Sequence, residues 1–245
     1  MHKSGRSVEH TVFLGATAVT VAGAVLGVEG LQKVAKPLLG PALAVRVLRR
    51  RHELEPVDAA LLVGALSAAT VGDVFMIDPD DDARLVSGAT SFAVMQAGYS
   101  TFLTRHGARP KAAAVIPRLA SWAGAAGMLG ARAREVAPQL GAYGLVLGTT
   151  STLSADPALA PGSAVRAGMA VPSRDPRSRI GLGGLLFTSS DGLIVIRKIF
   201  VRGKVGRAVS EAVVLGTYAA AQFFLIEGML ALGRKGRTAR LTGRA

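Results

Sequence analysis

The chain has 245 residues, 29 Lys and Arg against 16 Asp and Glu, and a formal net charge of +13 at pH 7. Half of it is apolar, only 18% is charged, and the mean hydropathy is +0.39. So basic a chain with positive mean hydropathy does not suit a nucleic-acid-binding domain, and no nucleic-acid partner is expected. The absence of cysteine excludes disulfides, a thiol nucleophile and thiolate metal sites. The histidines, His2, His10, His52 and His106, lie outside or at the ends of the long apolar runs, so a polyhistidine metal centre is not expected either. What remains is an all-α, polytopic transmembrane bundle forming one domain over 1–245.

A span needs ~20 mostly apolar residues to cross the hydrocarbon core. Such stretches fall at 11–30, 57–77, 85–104, 112–130, 137–154, 180–200 and 208–232, with a weaker one at 34–48 cut off by Arg49, Arg50 and Arg51. That predicts about eight spans, followed by a basic tail over 233–245. The first span follows Lys3 and Arg6, but its apolar run is long, no A-x-A cleavage site follows it and further spans come at once; a retained signal anchor is expected. The longest connector, 155–179, reads as an irregular or partly ordered loop. With the N-terminus inside, the inner connectors carry the excess of Lys and Arg, and the acidic connector from Asp78 to Asp82 falls outside. This predicts cytoplasmic termini in a bacterial-type plasma membrane. The basic residues between Arg197 and Arg207 oppose that assignment. Small residues at helix-contact spacing, such as Gly23/Gly27, Gly64/Ala68/Gly72 and Gly144/Gly148, predict close helix packing.

Ionisable groups inside spans cost at least about 2.5–3.5 kcal/mol, so each needs a reason. The deepest is Asp191, near the middle of GLGGLLFTSSDGLIVIRKIF, preceded by Ser190. It is expected to face a polar interior cavity. Asp73 ends the third span near the acidic connector, where a carboxylate can also simply hydrate. Glu29 and Lys36 read singly as snorkelling interface residues and, with Asp73, as an ion-pair network at one end of the bundle. Gln96 and Tyr99 share one helix face, as do Tyr218 and Gln222, and such pairs serve equally well as interhelical glue. Arg46 and Arg118 are expected to snorkel, Glu227 to be structural or interfacial, and Trp122 to anchor at an interface. Soluble-enzyme signatures such as a nucleophile elbow, a Walker loop or a zincin helix are missing.

Several strings fall together in register. Lys36-Pro37 opens the second span, Gly72-Asp73 closes the third, and Phe92, Gln96 and Tyr99 mark the fourth. GLLFTSSDGLIVIRKIF forms the seventh, and Tyr218 with Gln222 marks the eighth. In this order and spacing the chain resembles the YhhN-like lysoplasmalogenase family of eight-span membrane proteins. The resemblance implies hydrolysis of the vinyl-ether bond of lysoplasmalogens to a fatty aldehyde and a glycerophospho-alcohol, with the lysophospholipid drawn from the bilayer. It implies site residues Lys36, Asp73, Tyr99, Asp191, Tyr218 and Gln222. Two departures stand out: Gln96 occupies a position where the family pattern usually has histidine, and the Pro/Arg-rich insertion at 157–179 is unusual.

Vinyl-ether cleavage is acid-catalysed and passes through an oxocarbenium ion, as glycoside cleavage does, and that chemistry commonly uses two carboxyls. Asp191 is the expected general acid and Asp73 the carboxylate that stabilises the cation and orients water. Lys36, Gln96, Tyr99, Ser190, Tyr218 and Gln222 are the expected substrate-binding groups, with Lys36 alternatively meeting the lipid phosphate. The scheme calls for no metal and no cofactor. A lipid or small-molecule transporter using the same carboxylates, or a non-enzymatic membrane protein, are the competing readings.

Overall fold

The computed structural model describes residues 8–78 and 80–241, and their side chains except those of residues 29 and 235–241. The basic tail expected over 233–245 and the basic start at Lys3 and Arg6 lie largely outside the described side chains. The fold is nearly all-α: α1 (Val8–Leu26), α2 (Glu29–Ala35), α3 (Leu39–Arg49), α4 (Pro56–Phe75), α5 (Asp82–Arg105), α6 (Ala112–Arg132), α7 (Ala137–Ser154), α8 (Ile180–Phe200) and α9 (Lys204–Leu241). Every expected span from the third onward coincides with one helix.

The local chemistry explains the boundaries. Gly27 ends α1 at φ +68°, and the Val28 amide returns to the Gly23 carbonyl at 2.9 Å, a glycine-capped helix end. Pro37, which has no amide hydrogen, replaces the α-helical path at Lys36–Leu38 by a tighter turn, so the weak second stretch is a broken helix, α2 then α3. Asp81 caps α5 by accepting from the Ala83 and Arg84 amides at 2.8 and 3.1 Å. The long connector carries a two-residue antiparallel hairpin, β1 (Val165–Arg166) and β2 (Met169–Ala170), turned by Ala167 and Gly168, both at positive φ.

Neighbouring helices close a ring: α1 against α3, α3 against α4, then α5, α7, α8, α9 and back to α1. α6 stands outside it on α7, with Ala114 and Leu129 its only buried residues. The core inside the ring holds Leu62, Leu66, Met95, Tyr99, Phe102, Phe187 and Leu225, all fully buried. Two adjacent glycines seat α8 between its neighbours. A Cβ on Gly183 would meet the α9 backbone at 3.0–3.1 Å, and one on Gly184 would strike Ser154 of α7. GLGG is therefore a packing element. Of the predicted contact glycines, Gly23, Gly72 and Gly144 do lie against neighbours, whereas Gly64 and Gly148 face open space and Gly27 is a cap.

Among the described residues five helices are long and apolar enough to cross a membrane: α1, α4, α6, α8 with the turn before it, and α9 as far as Arg234. The protein is a membrane protein on that basis. The broken α2–α3 pair is too short in either piece, and α5 and α7 carry many Ser, Thr, Gln and Tyr residues. α5 can carry them because Gln96 and Tyr99 are buried inside the bundle, while the exposed Thr90 and Thr101 hydroxyls donate to the carbonyls four residues back.

Candidate active site between α4, α5, α7, α8 and α9

Asp73, in the last turn of α4, is fully buried, not hydrated at an interface. Gly72 beside it is overlain by the Phe92 ring, which a Cβ would meet at 3.1 Å, so the Gly-Asp pair brings α5 over the carboxyl. The Tyr218 hydroxyl donates to Asp73 Oδ2 at 3.0 Å. Behind it the Gln222 amide donates to the Tyr218 oxygen at 3.2 Å, and the Tyr99 hydroxyl donates to the Gln222 carbonyl at 2.8 Å. The three donors point one way, from α5 through α9 to α4, each polarising the next toward the carboxyl. Asp73 Oδ1 has no hydrogen-bond partner among the described residues.

Lys36 is buried too, contrary to the snorkelling expectation. The tight turn at Pro37 carries it inward, where its Nζ donates to the Met76 carbonyl at 2.7 Å. It lies close enough to Asp73 for their charges to interact, without a direct ion pair among the described contacts. Lys36, Asp73, Ser190, Asp191 and Tyr218 line one polar chamber of about 30 Å³, to whose wall Arg197 and Glu211 also contribute. That volume suits about one water molecule.

Asp191 sits halfway along α8 and is only partly buried, because its other side lines a second cavity of about 170 Å³ between α5, α6, α7 and α8. Phe92, Leu85, Ala89, Leu129, Leu147 and Val195 make that cavity apolar. The Tyr143 hydroxyl donates to Asp191 Oδ2 across a short contact and faces the same cavity. Asp191, Met76, Phe92 and Ile194 belong to both walls, so the carboxyl stands where the polar chamber meets the apolar cavity.

The structure thus gathers Lys36, Asp73, Ser190, Asp191 and Tyr218 at the chamber. Ser190 also donates to the Val214 carbonyl at 3.0 Å, tying α8 to α9. Tyr99, Gln222 and Gln96 line neither cavity and stand behind the site. Gln96 is buried beside the Tyr143 hydroxyl, yet neither of its amide atoms makes a well-formed hydrogen bond among the described residues. Tyr143 belongs to no motif. The signal for it is that the chain has three tyrosines and the other two, Tyr99 and Tyr218, already mark the site. Among the described residues no three His, Asp or Glu side chains converge to hold a metal.

Ionic contacts fix both ends of the bundle. Arg197 and Arg207 reach Asp80, and Lys198 reaches Asp82, so the basic α8–α9 turn is paired with the acidic α4–α5 connector. At the other end Arg46 pairs with Glu227 and Arg49 with Glu9. Arg46 is buried in that pair and does not snorkel. The side chain of Glu29 lies outside the described ones.

No curated protein and no solved structure matches the chain. The YhhN family matches residues 31–229, a stretch that contains every residue of the chamber, the donor chain behind it and both walls of the apolar cavity. The chain belongs to the YhhN family.

Proposed function

We propose that the protein is an eight-span membrane hydrolase of the lysoplasmalogenase type, cleaving the vinyl-ether bond of lysoplasmalogens. The observation that carries this reading is the position of Asp191, shared between a polar chamber with a second carboxyl and an apolar cavity suited to an alkyl chain. A substrate with its chain in the cavity presents its ether to Asp191, the only carboxyl on that wall. Asp191 gives its proton to the vinyl carbon remote from oxygen, and the carbon next to oxygen becomes an oxocarbenium centre. Asp73, held by Tyr218, stabilises the cation from the chamber. A water from the chamber adds to that centre and returns a proton to Asp191. The hemiacetal then collapses to aldehyde and glycerol hydroxyl, so one water is consumed per bond cleaved. Lys36 balances the Asp73 charge and is too enclosed to meet a lipid phosphate.

The test is aldehyde release from a lysoplasmalogen by purified protein in detergent. Asp191→Asn should lower turnover by about 10²–10⁴-fold, the usual share of acid–base catalysis. Folded D191N and D73N proteins that both keep full turnover would overturn the assignment, and aldehyde-free transport of the lipid would favour a transporter.

A further inference from the structure

Arg118 takes no part in the chemistry just described. It lies seven residues into α6, half-buried, in the wall of the 170 Å³ cavity and also of a further cavity of about 320 Å³ between α6 and α7. Its Nε donates to Ser151 Oγ at 2.8 Å and its Nη1 to the Ala114 carbonyl at 3.0 Å, and its Nη2 rests 3.7 Å from the Met169 sulfur of the hairpin. No carboxylate pairs with it among the described residues, whereas Arg46, Arg105, Arg177 and Arg197 all have acidic partners. A guanidinium within a span costs energy, and neutral oxygens leave its charge uncompensated. The surroundings add positive charge: Arg109, Lys111 and Arg166 are exposed at the same end of the bundle. On the α7 side the cavity is lined by Gly144, Gly148, Thr149 and Thr152 with Leu145 and Leu153, and Gly148 leaves open space there.

We infer that Arg118 is the anchor for an anionic phosphate, that of a lysolipid headgroup lodged between α6 and α7 with its chain in the apolar cavity. The planar fork of arginine suits a phosphate, and the ligand supplies the missing counter-charge. From Tyr143 to Ser151 is eight residues, or about 12 Å along α7. A glycerophosphate plus a hydrogen bond spans the gap from Asp191 to the guanidinium. The inference rests on the lipid-hydrolase reading for the class of ligand, and the test uses an uncleavable lipid so that the two fail separately.

Trp122, one turn beyond Arg118, is the single tryptophan of the chain and lines both cavities, so its fluorescence reports occupancy. Purified protein is titrated with a saturated 1-O-alkyl lysophosphatidylethanolamine, with the matching alkylglycerol, and with inorganic phosphate. The lysophospholipid should bind tightest, and Arg118→Gln should weaken it about 10- to 100-fold while leaving alkylglycerol binding unchanged. Arg118→Lys should fall between the two and carries the test if R118Q does not fold. Equal affinity for the alkylglycerol, undiminished affinity in both variants, or no fluorescence response to either lipid overturns the inference. Inorganic phosphate saturating the response at the same concentration as the lipid would mark a free-phosphate site and overturn it as well.

Discussion

The three tyrosines, two glutamines and two aspartates of the site fall into distinct physical roles. Asp191 touches the apolar cavity, Asp73 does not, and the Tyr99–Gln222–Tyr218 chain ends on Asp73. Tyr218→Phe removes the single side-chain donor to Asp73 among the described residues. It should lower kcat about 10-fold or more, since a hydrogen bond to a charged group is worth about 1.5–3 kcal/mol. KM should change little, because the ring itself stays between Phe92 and Phe187. A Y218F enzyme with unchanged kcat would remove the chain from the mechanism. Gln96 is the opposite case, a buried amide whose polar atoms lack well-formed partners next to Tyr143. Gln96→His places there a ring nitrogen able to bond the Tyr143 hydroxyl. It should raise turnover several-fold; a folded Q96H protein slower than the parent would show that glutamine is the better fit in this chain.

At the scale of elements, α7 shows what glycine does on a peripheral contact. Gly144 lies under the Trp122 ring, which a Cβ would meet at 2.9 Å, and the indole N–H donates to the Gly141 carbonyl at 2.9 Å. Gly144→Ala should therefore displace Trp122, cost about 1–3 kcal/mol by overpacking and shift the tryptophan emission. Gly148→Ala meets nothing within 4 Å and should stabilise α7 by up to about 1 kcal/mol through helix propensity alone. Thermal unfolding of the pair checks the contrast, and equal effects would contradict it. The elements themselves were readable in the sequence, because charged connectors and long apolar runs mark helix ends in a membrane protein. The mid-span Asp191 and the Asp73 motif were readable for the same reason: an ionisable group in an apolar run has few uses. The depth of Asp73 and Lys36 was not, since it depends on the inward turn at Pro37 and on α5 lying over Gly72. The Arg46–Glu227 pair joins residues 181 positions apart, and no local pattern announces it. Tyr143 needed the cavity to give it meaning.

For the whole molecule, the contact ring and the ionic ends bear on how the chain crosses the bilayer. The basic turn after α8 opposes a cytoplasmic N-terminus when lysines and arginines are counted. Yet Arg197, Lys198 and Arg207 are paired with Asp80 and Asp82, so that turn presents less uncompensated charge than its sequence suggests. At the opposite end Arg109, Lys111 and Arg166 stay exposed, as a face toward anionic headgroups requires. An eight-span path with a cytoplasmic N-terminus, α2 and α3 together making the second crossing, predicts residues 109 and 165 on the cytoplasmic side and 134 and 202 on the outer side. The chain has no cysteine, so single substitutions at these exposed positions report without background. In intact cells an impermeant maleimide should label Arg134→Cys and Arg202→Cys, and should reach Arg109→Cys and Val165→Cys only after the membrane is opened. The reverse pattern would invert the bundle and place the Arg118 end outside. Labelling of 109 and 134 from the same side would show that α6 does not cross, and the apolar cavity would then lose its lipid-facing wall.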